Sequence, residues 1–235
     1  MRKKFLIKSI NLKYIVATAL CGIFVFALCL SSSKTEFVSI PKDNITIVVD
    51  AGHGGVDGGC IGSFTKVVES ELNLIFAKNL KRQLEQYGFS VVMTRSNSDG
   101  LYEAGAKNLK KSDMKKRKEI IESSNCDLVL SLHMNSYPLE TSSGSQVFYK
   151  KNSNYGKVLA ESVQGQLKNI LSNTTKKSAV GDYFIVECTD KPAVLVECGF
   201  LSNKQEELLL QQKSYQDKFC YAIVCGVVDY LGVSY

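Results

Sequence analysis

Two histidines occur in 235 residues, and each follows a run of apolar, largely β-branched residues: His53 in IVVDAGHGG and His133 in LVLSLHMNS. A third such run, AVLVE, closes on Glu197, and Glu69 opens a helix-like pattern sixteen residues beyond His53. Between His53 and Glu69 the chain is a glycine-rich turn. Two imidazoles and one carboxylate are the usual ligand set of a catalytic zinc site, which keeps a fourth position open. A second carboxylate, at Glu197, supplies the other need of metal-assisted hydrolysis, a group that takes a proton from water and returns it to the leaving nitrogen. Each residue also has an ordinary structural reading. A strand-end histidine often serves as a hydrogen-bonded structural residue, Glu69 could simply complement a helix dipole, and Glu197 could be an exposed strand terminus. Their joint placement favours the zinc-hydrolase reading. Asp57 and Asn135, close to the histidines, are candidates for hydrogen bonds to the ligands or to substrate, with a structural turn role equally open. The turn DAGHGGVDGG lacks both the Gly-Lys-Ser/Thr ending of a phosphate loop and the spacing of a dinucleotide fingerprint.

The elements that must position these residues are legible as alternating patterns from Asn44 onward. Short strand-like runs occupy 45–50, 89–95, 127–133, 145–149, 183–187 and 193–197. Several are apolar nearly throughout, as expected of strands buried on both faces. Apolar residues repeat every three to four positions over 69–87, with Gly88 as a stop, and over 156–171. Asn203 with Glu206 reads as a capping box before a helix, and a last helix runs from about Ser214 through Leu231. The stretch 96–118 is polar and lysine-rich, a long loop entering a helix near Ser112, and its charge run reads as a solvated face in preference to a binding patch. Strands alternating with helices predict a three-layer α/β domain over 44–235, with a central, largely parallel twisted sheet of about six strands. In such sheets chemistry collects at the carboxyl ends of the strands, where His53, His133 and Glu197 all fall.

The net charge of +6 is an N-terminal property. Five of the 29 basic residues lie in the first thirty positions, where no acid occurs, leaving 24 against 23 acids in the rest of the chain. A near-neutral body excludes the electrostatic footprint of a nucleic-acid binder. Residues 1–13 are therefore expected to be a basic cytoplasmic segment, 14–30 (YIVATALCGIFVFALCL) a transmembrane signal anchor and 31–43 a polar linker. A retained anchor is favoured over cleavage at Ser31–Ser33. It ties the protein to the membrane and places the catalytic domain on the cell-wall side. The six cysteines beyond the anchor sit mostly in apolar stretches and form no C-x-x-C pair, so they read as small buried hydrophobes rather than a disulfide framework.

VVDAGHGGVDGG, ESELNL, VVMTR, LSLHMN and PAVLVECGFLSN occur in that order, and together they resemble the zinc-dependent N-acetylmuramoyl-L-alanine amidases of the amidase 3 type. The resemblance covers about residues 45–231 and is nearest to their spore-cortex, CwlD-type branch. It implies Zn2+ held by His53, Glu69 and His133, with Glu197 as general base. It further implies a peptidoglycan substrate cut between N-acetylmuramic acid and L-alanine, on the way to the muramic-δ-lactam of spore cortex, which would put the domain in the forespore intermembrane space. The family usually has Pro where Ala51 stands, Ala where Met134 stands, and a basic residue where Glu187 stands. The chain has no wall-binding repeat, so an exported protein partner is expected to aid its stability or positioning. Two other readings share parts of this logic: a non-catalytic wall-binding or scaffold module, and a zinc carboxypeptidase or deacetylase acting on the same polymer.

Overall fold

The computed structural model describes residues 45–233, so the expected basic segment, signal anchor and linker lie outside the described residues. Among the described residues, no helix is long and apolar enough to cross a membrane. In chain order the elements are β1 (Thr46–Ala51), α1 (Glu69–Gln86), β2 (Ser90–Met93), α2 (Leu109–Ser123), β3 (Leu128–Asn135), β4 (Gln146–Tyr149), α3 (Asn154–Leu171), β5 (Ala179–Val180), α4 (Phe184–Glu187), β6 (Ala193–Phe200), α5 (Lys204–Leu210) and α6 (Lys213–Leu231). They build one six-stranded sheet in the order β2-β1-β3-β6-β4-β5. Strands β2, β1, β3 and β6 run parallel, while β4 is antiparallel to β6 and carries β5 parallel to itself.

The apolar runs sort by parity, because successive strand side chains point to opposite faces. Ile47 and Val49 of β1, Leu128, Leu130 and Leu132 of β3, and Val194 and Val196 of β6 share one core with Phe76 and Leu80 of α1, Leu159 and Val163 of α3, and Phe219 and Ile223 of α6. The other parity, Val48, Val129, Ala193 and Leu195, packs on Ile121 of α2 and on Ile185 and Val186 of α4. Helices thus cover both faces, and the three-layer architecture is the expected one. Phe76 and Phe219 meet edge to face with ring centroids 5.6 Å apart, which locks α1 to α6.

Local chemistry sets the element ends. Asn108 and Ser153 cap α2 and α3 by accepting the Lys111 and Gly156 amides. Gly88 takes φ 90°, a conformation that suits glycine, and turns the chain out of α1. The capping box at Asn203 is half formed. Its side chain accepts the Gln205 and Glu206 amides, but the Glu206 carboxylate turns away to accept the Gly144 and Phe200 amides.

One expected strand is a helical turn. Of YFIVE (183–187), Tyr183 stays extended and Phe184–Glu187 form α4, and the fifth strand is the two-residue β5 just before it. A short apolar run carries no periodicity that separates the two forms. Here Ile185 and Val186 are buried while Phe184 and Glu187 are exposed. The described cysteines are all free, and Cys126, Cys198, Cys220 and Cys225 are buried, in keeping with their reading as hydrophobes.

Candidate metal and catalytic site

Parity and register bring the site together. His133 and Glu197 both belong to the face covered by α2 and α4, and the β3–β6 register makes them Cα partners, just before a bulge between His133 and Asn135. His53 follows β1, the other neighbour of β3, and Glu69 is the first residue of α1. All four line one cleft of about 470 Å³ at the carboxyl edge of the parallel strands.

Glu69 is the centre of the cluster. Its Oε1 lies 3.2 Å from His53 Nε2 and 3.1 Å from His133 Nδ1. One ligand atom from each of the three residues falls within 4.8 Å of the others. A tetrahedral centre with bonds of about 2.0–2.1 Å separates its ligand atoms by roughly 3.3 Å, so the two separations from Glu69 suit a small divalent cation. The donor set suits zinc as well. The carboxylate is also fixed from outside the cluster. The Met134 amide donates to Oε1 at 3.1 Å, the Asn73 amide group donates to it at 3.3 Å, and the Cys60 amide donates to Oε2 at 2.8 Å. Burial opposes ionisation, but the hydrogen bonds and positive potential of His133 and His53 outweigh it and hold Glu69 well below the usual carboxylate range.

His53 is oriented from its other nitrogen, with Nδ1 2.9 Å from Asp57 Oδ1, so Asp57 stands behind the cluster, where a residue orienting a ligand is needed. Burial disfavours the imidazolium, yet Glu69 and then Asp57 raise the His53 pKa above its ordinary value. Asp57 is lowered: burial opposes this, and the hydrogen bond and charge of His53, the Gly59 amide and Lys110 bring it down. Asn135 lines the cleft. Its backbone carbonyl accepts the Leu201 amide at 2.8 Å, tying β3 to the end of β6.

Glu197 stands differently. It is 8% exposed, and its Oε2 is buried without a hydrogen-bond partner among the described residues. Burial raises its pKa to about 7, against the lowering influence of His133 and with a further push from Glu69. A carboxylate that water barely reaches, unsatisfied and poised near neutrality, is the profile of a proton carrier.

Space around the three candidate ligands is tight. A Cβ on Gly52 would collide with the His133 ring, and one on Gly59, at φ 71°, would collide with the Glu69 carboxylate. His53 itself takes φ 60°, a left-handed conformation costly for a side-chain-bearing residue. Two buried arginines hold that backbone in place. Arg117 donates to the carbonyl oxygens of Ala51 and His53 at 2.8 and 2.6 Å. Arg95 donates to those of Ala51, Gly52 and Ser70 at 2.8–2.9 Å. Arg117 is neutralised by Asp50 and Asp113, each at 2.6 Å, and Asp50 accepts further bonds from Thr94 and Ser131. Neither arginine was visible as a site residue in the sequence. The available signals were Asp113 and Arg117 at helical i, i+4 spacing and an acid, Asp50, inside a buried strand. Glu187 lies away from the cleft, in a groove with Lys118 and Asp190, so this departure from the family pattern does not touch the site.

Residues 47–229 match the N-acetylmuramoyl-L-alanine amidase family, covering all four cleft residues. The chain belongs to this amidase family. It is 33% identical over 235 residues to the germination-specific N-acetylmuramoyl-L-alanine amidase of Bacillus subtilis, spanning 98% of this chain and 96% of that protein. Among solved amidase structures, the CwlD amidase of Clostridioides difficile in complex with the GerS lipoprotein superposes with a TM-score of 0.77. That match has 34% identity and covers 81% of this chain and 100% of that one. The catalytic domain of the CwlV amidase from Bacillus (Paenibacillus) polymyxa var. colistinus gives a TM-score of 0.72 at 29% identity, covering 81% and 99%.

Proposed function

We propose that this amidase is a zinc-dependent peptidoglycan hydrolase that cuts the amide between the lactyl group of N-acetylmuramic acid and the L-alanine of the stem peptide, in the service of spore-cortex modification. The observation that carries the chemistry is the convergence of His53, Glu69 and His133 around Glu69 Oε1, beside the unsatisfied Glu197. His53, Glu69 and His133 would hold Zn2+, which when bound supplies Lewis-acid polarisation and lowers the pKa of water from about 15.7 toward 7. Asp57 fixes the orientation of His53 through Nδ1. Glu197 takes the proton of the attacking water and delivers it to the departing amine nitrogen. Its burial keeps bulk water from competing for that proton.

The cortex role rests on similarity to the germination-specific amidase of Bacillus subtilis and to the CwlD amidase of Clostridioides difficile. Because the latter was solved with a lipoprotein bound, we further propose an exported protein partner for this chain. A membrane anchor over 14–30, the linker 31–43 and a catalytic domain over 44–235 on the outer side of the membrane complete the reading.

Digestion of peptidoglycan by the purified exported domain, read by mass spectrometry alongside metal analysis, tests this function. New N-terminal L-alanine with about one zinc per chain is the expected result. Released D-alanine or acetate would assign a carboxypeptidase or deacetylase, and no product would assign a scaffold.

A further inference from the structure

The lysine-rich run that the amidase chemistry leaves unused forms a stripe along α2. Lys111, Met114, Lys115 and Lys118 stand at helical i, i+3, i+4 and i+7 positions, which share one face. With Phe184, at the start of α4, they line a second groove. Lys110, Met114 and Phe184 line both this groove and the candidate catalytic cleft, so the two adjoin. No acidic residue lines the second groove. Lys115 and Lys118 reach the carboxylates of Glu119 and Glu122 at 3.5 and 3.6 Å, whereas Lys110 and Lys111 form no ion pair among the described residues. The floor is apolar, with Phe184 45% exposed and Met114 half-buried.

A groove that adjoins the candidate reacting centre, with apolar residues and only positive charge in its lining, favours an anionic segment of whatever is bound in the cleft. Of the two halves of the substrate, the glycan side is a sugar polymer and the stem is an acidic peptide with free carboxylates. The geometry points to the α2–α4 groove as the subsite for the acidic stem peptide, with Lys110 and Lys111 taking its carboxylates and Met114 and Phe184 its aliphatic segments. This assignment rests on the amidase reading above and deepens it. It makes stem charge a determinant of which peptidoglycan is cut.

The test uses the exported domain and two soluble glycan–stem fragments that differ only in whether the stem carboxylates are free acids or carboxamides. The double variant Lys110→Gln/Lys111→Gln is compared with the native protein and with Lys168→Gln, which removes a positive charge from α3 on the opposite face of the sheet. The native domain and the α3 variant are expected to prefer the free-acid fragment at low salt. The double variant should show a KM for that fragment raised roughly fivefold to tenfold, the size expected for two exposed charge pairs, and should no longer discriminate between the fragments. An unchanged KM, or an equal loss on both fragments, overturns the subsite. Failure of the native domain, shown to be folded and zinc-loaded, to release new N-terminal L-alanine from either fragment would instead overturn the amidase reading.

Discussion

Arg117 donates to the backbone carbonyl of His53 at 2.6 Å, from beneath the loop whose imidazole faces the cleft. A left-handed histidine is thus held by a cation that solvent does not reach. Removing that cation strands Asp50 and Asp113 as buried, unpaired acids. Loss of one partner of a buried pair costs about 3–5 kcal/mol, and a domain of this size loses about 2–4 °C per kcal/mol. Arg117→Ala should therefore lower the thermal midpoint by roughly 10 °C. A midpoint within about 2 °C of the native value would show that the pairing does not hold the loop.

Acid should unfold the same region. The Asp50 carboxyl is buried, yet the Arg117 charge and then the Ser131 hydroxyl bring its pKa below the ordinary 3.8. A depressed folded pKa contributes stability above the unfolded value, and that contribution is lost as pH falls through the folded one. Denaturant midpoints should hold steady near neutrality and drop below about pH 4. In Asp50→Asn this part of the drop should be smaller, and an identical acid profile in that variant would remove Asp50 from the account.

Replacing the Glu197 carboxylate by an amide keeps its shape and removes its proton chemistry. Glu197→Gln is expected to lose about 10²–10⁴-fold in kcat while binding zinc as before. Retained turnover would take the base role away from Glu197; parallel loss of metal would make it a ligand instead.

In its proposed role as a base, Glu197 must be ionised, so activity should fall as pH drops through its pKa. Burial moves that value upward from 4.5 to about 7, and a bound cation draws it back toward 4.5. The acidic limb of kcat/KM should be centred between these values. A limb at or below 4.5 would mean that the carboxyl titrates as an exposed group.

Metal content should separate the proposed ligands from their surroundings. His133→Ala should lose both zinc and activity. Gly52→Ala, which adds a single methyl where the His133 ring lies, should weaken zinc affinity by about an order of magnitude or more, since a displaced ligand costs metal binding and not only turnover. Competition with a chelator measures both, and native-like affinity in Gly52→Ala would show that the ring has room to move.

Much of this arrangement is readable in the chain because burial on two faces leaves a strong mark. The runs at β1, β3 and β6 are apolar almost throughout, and the chemistry stands at their ends. The residues at 183–187 carry the same mark over too short a span, and the surroundings, with Ile185 and Val186 buried against Val129 and Leu195, choose the helical turn. Arg95 and Arg117 were opaque for a different reason. What they hold in the site are backbone carbonyls, which carry no residue identity, so the i, i+4 spacing of Asp113 and Arg117 announces an ion pair but not the loop it supports.

The strand order places β6, the last strand in the chain, between β3 and β4. Its pairing with β3 closes a loop of more than fifty residues, the kind of long-range contact that forms late. A nascent or translocating polypeptide that has emerged only as far as β5 owns His53, Glu69 and His133 but not Glu197. Any chain that ends before β6 is thereby left without the fourth member of the candidate site, whatever the state of the other three.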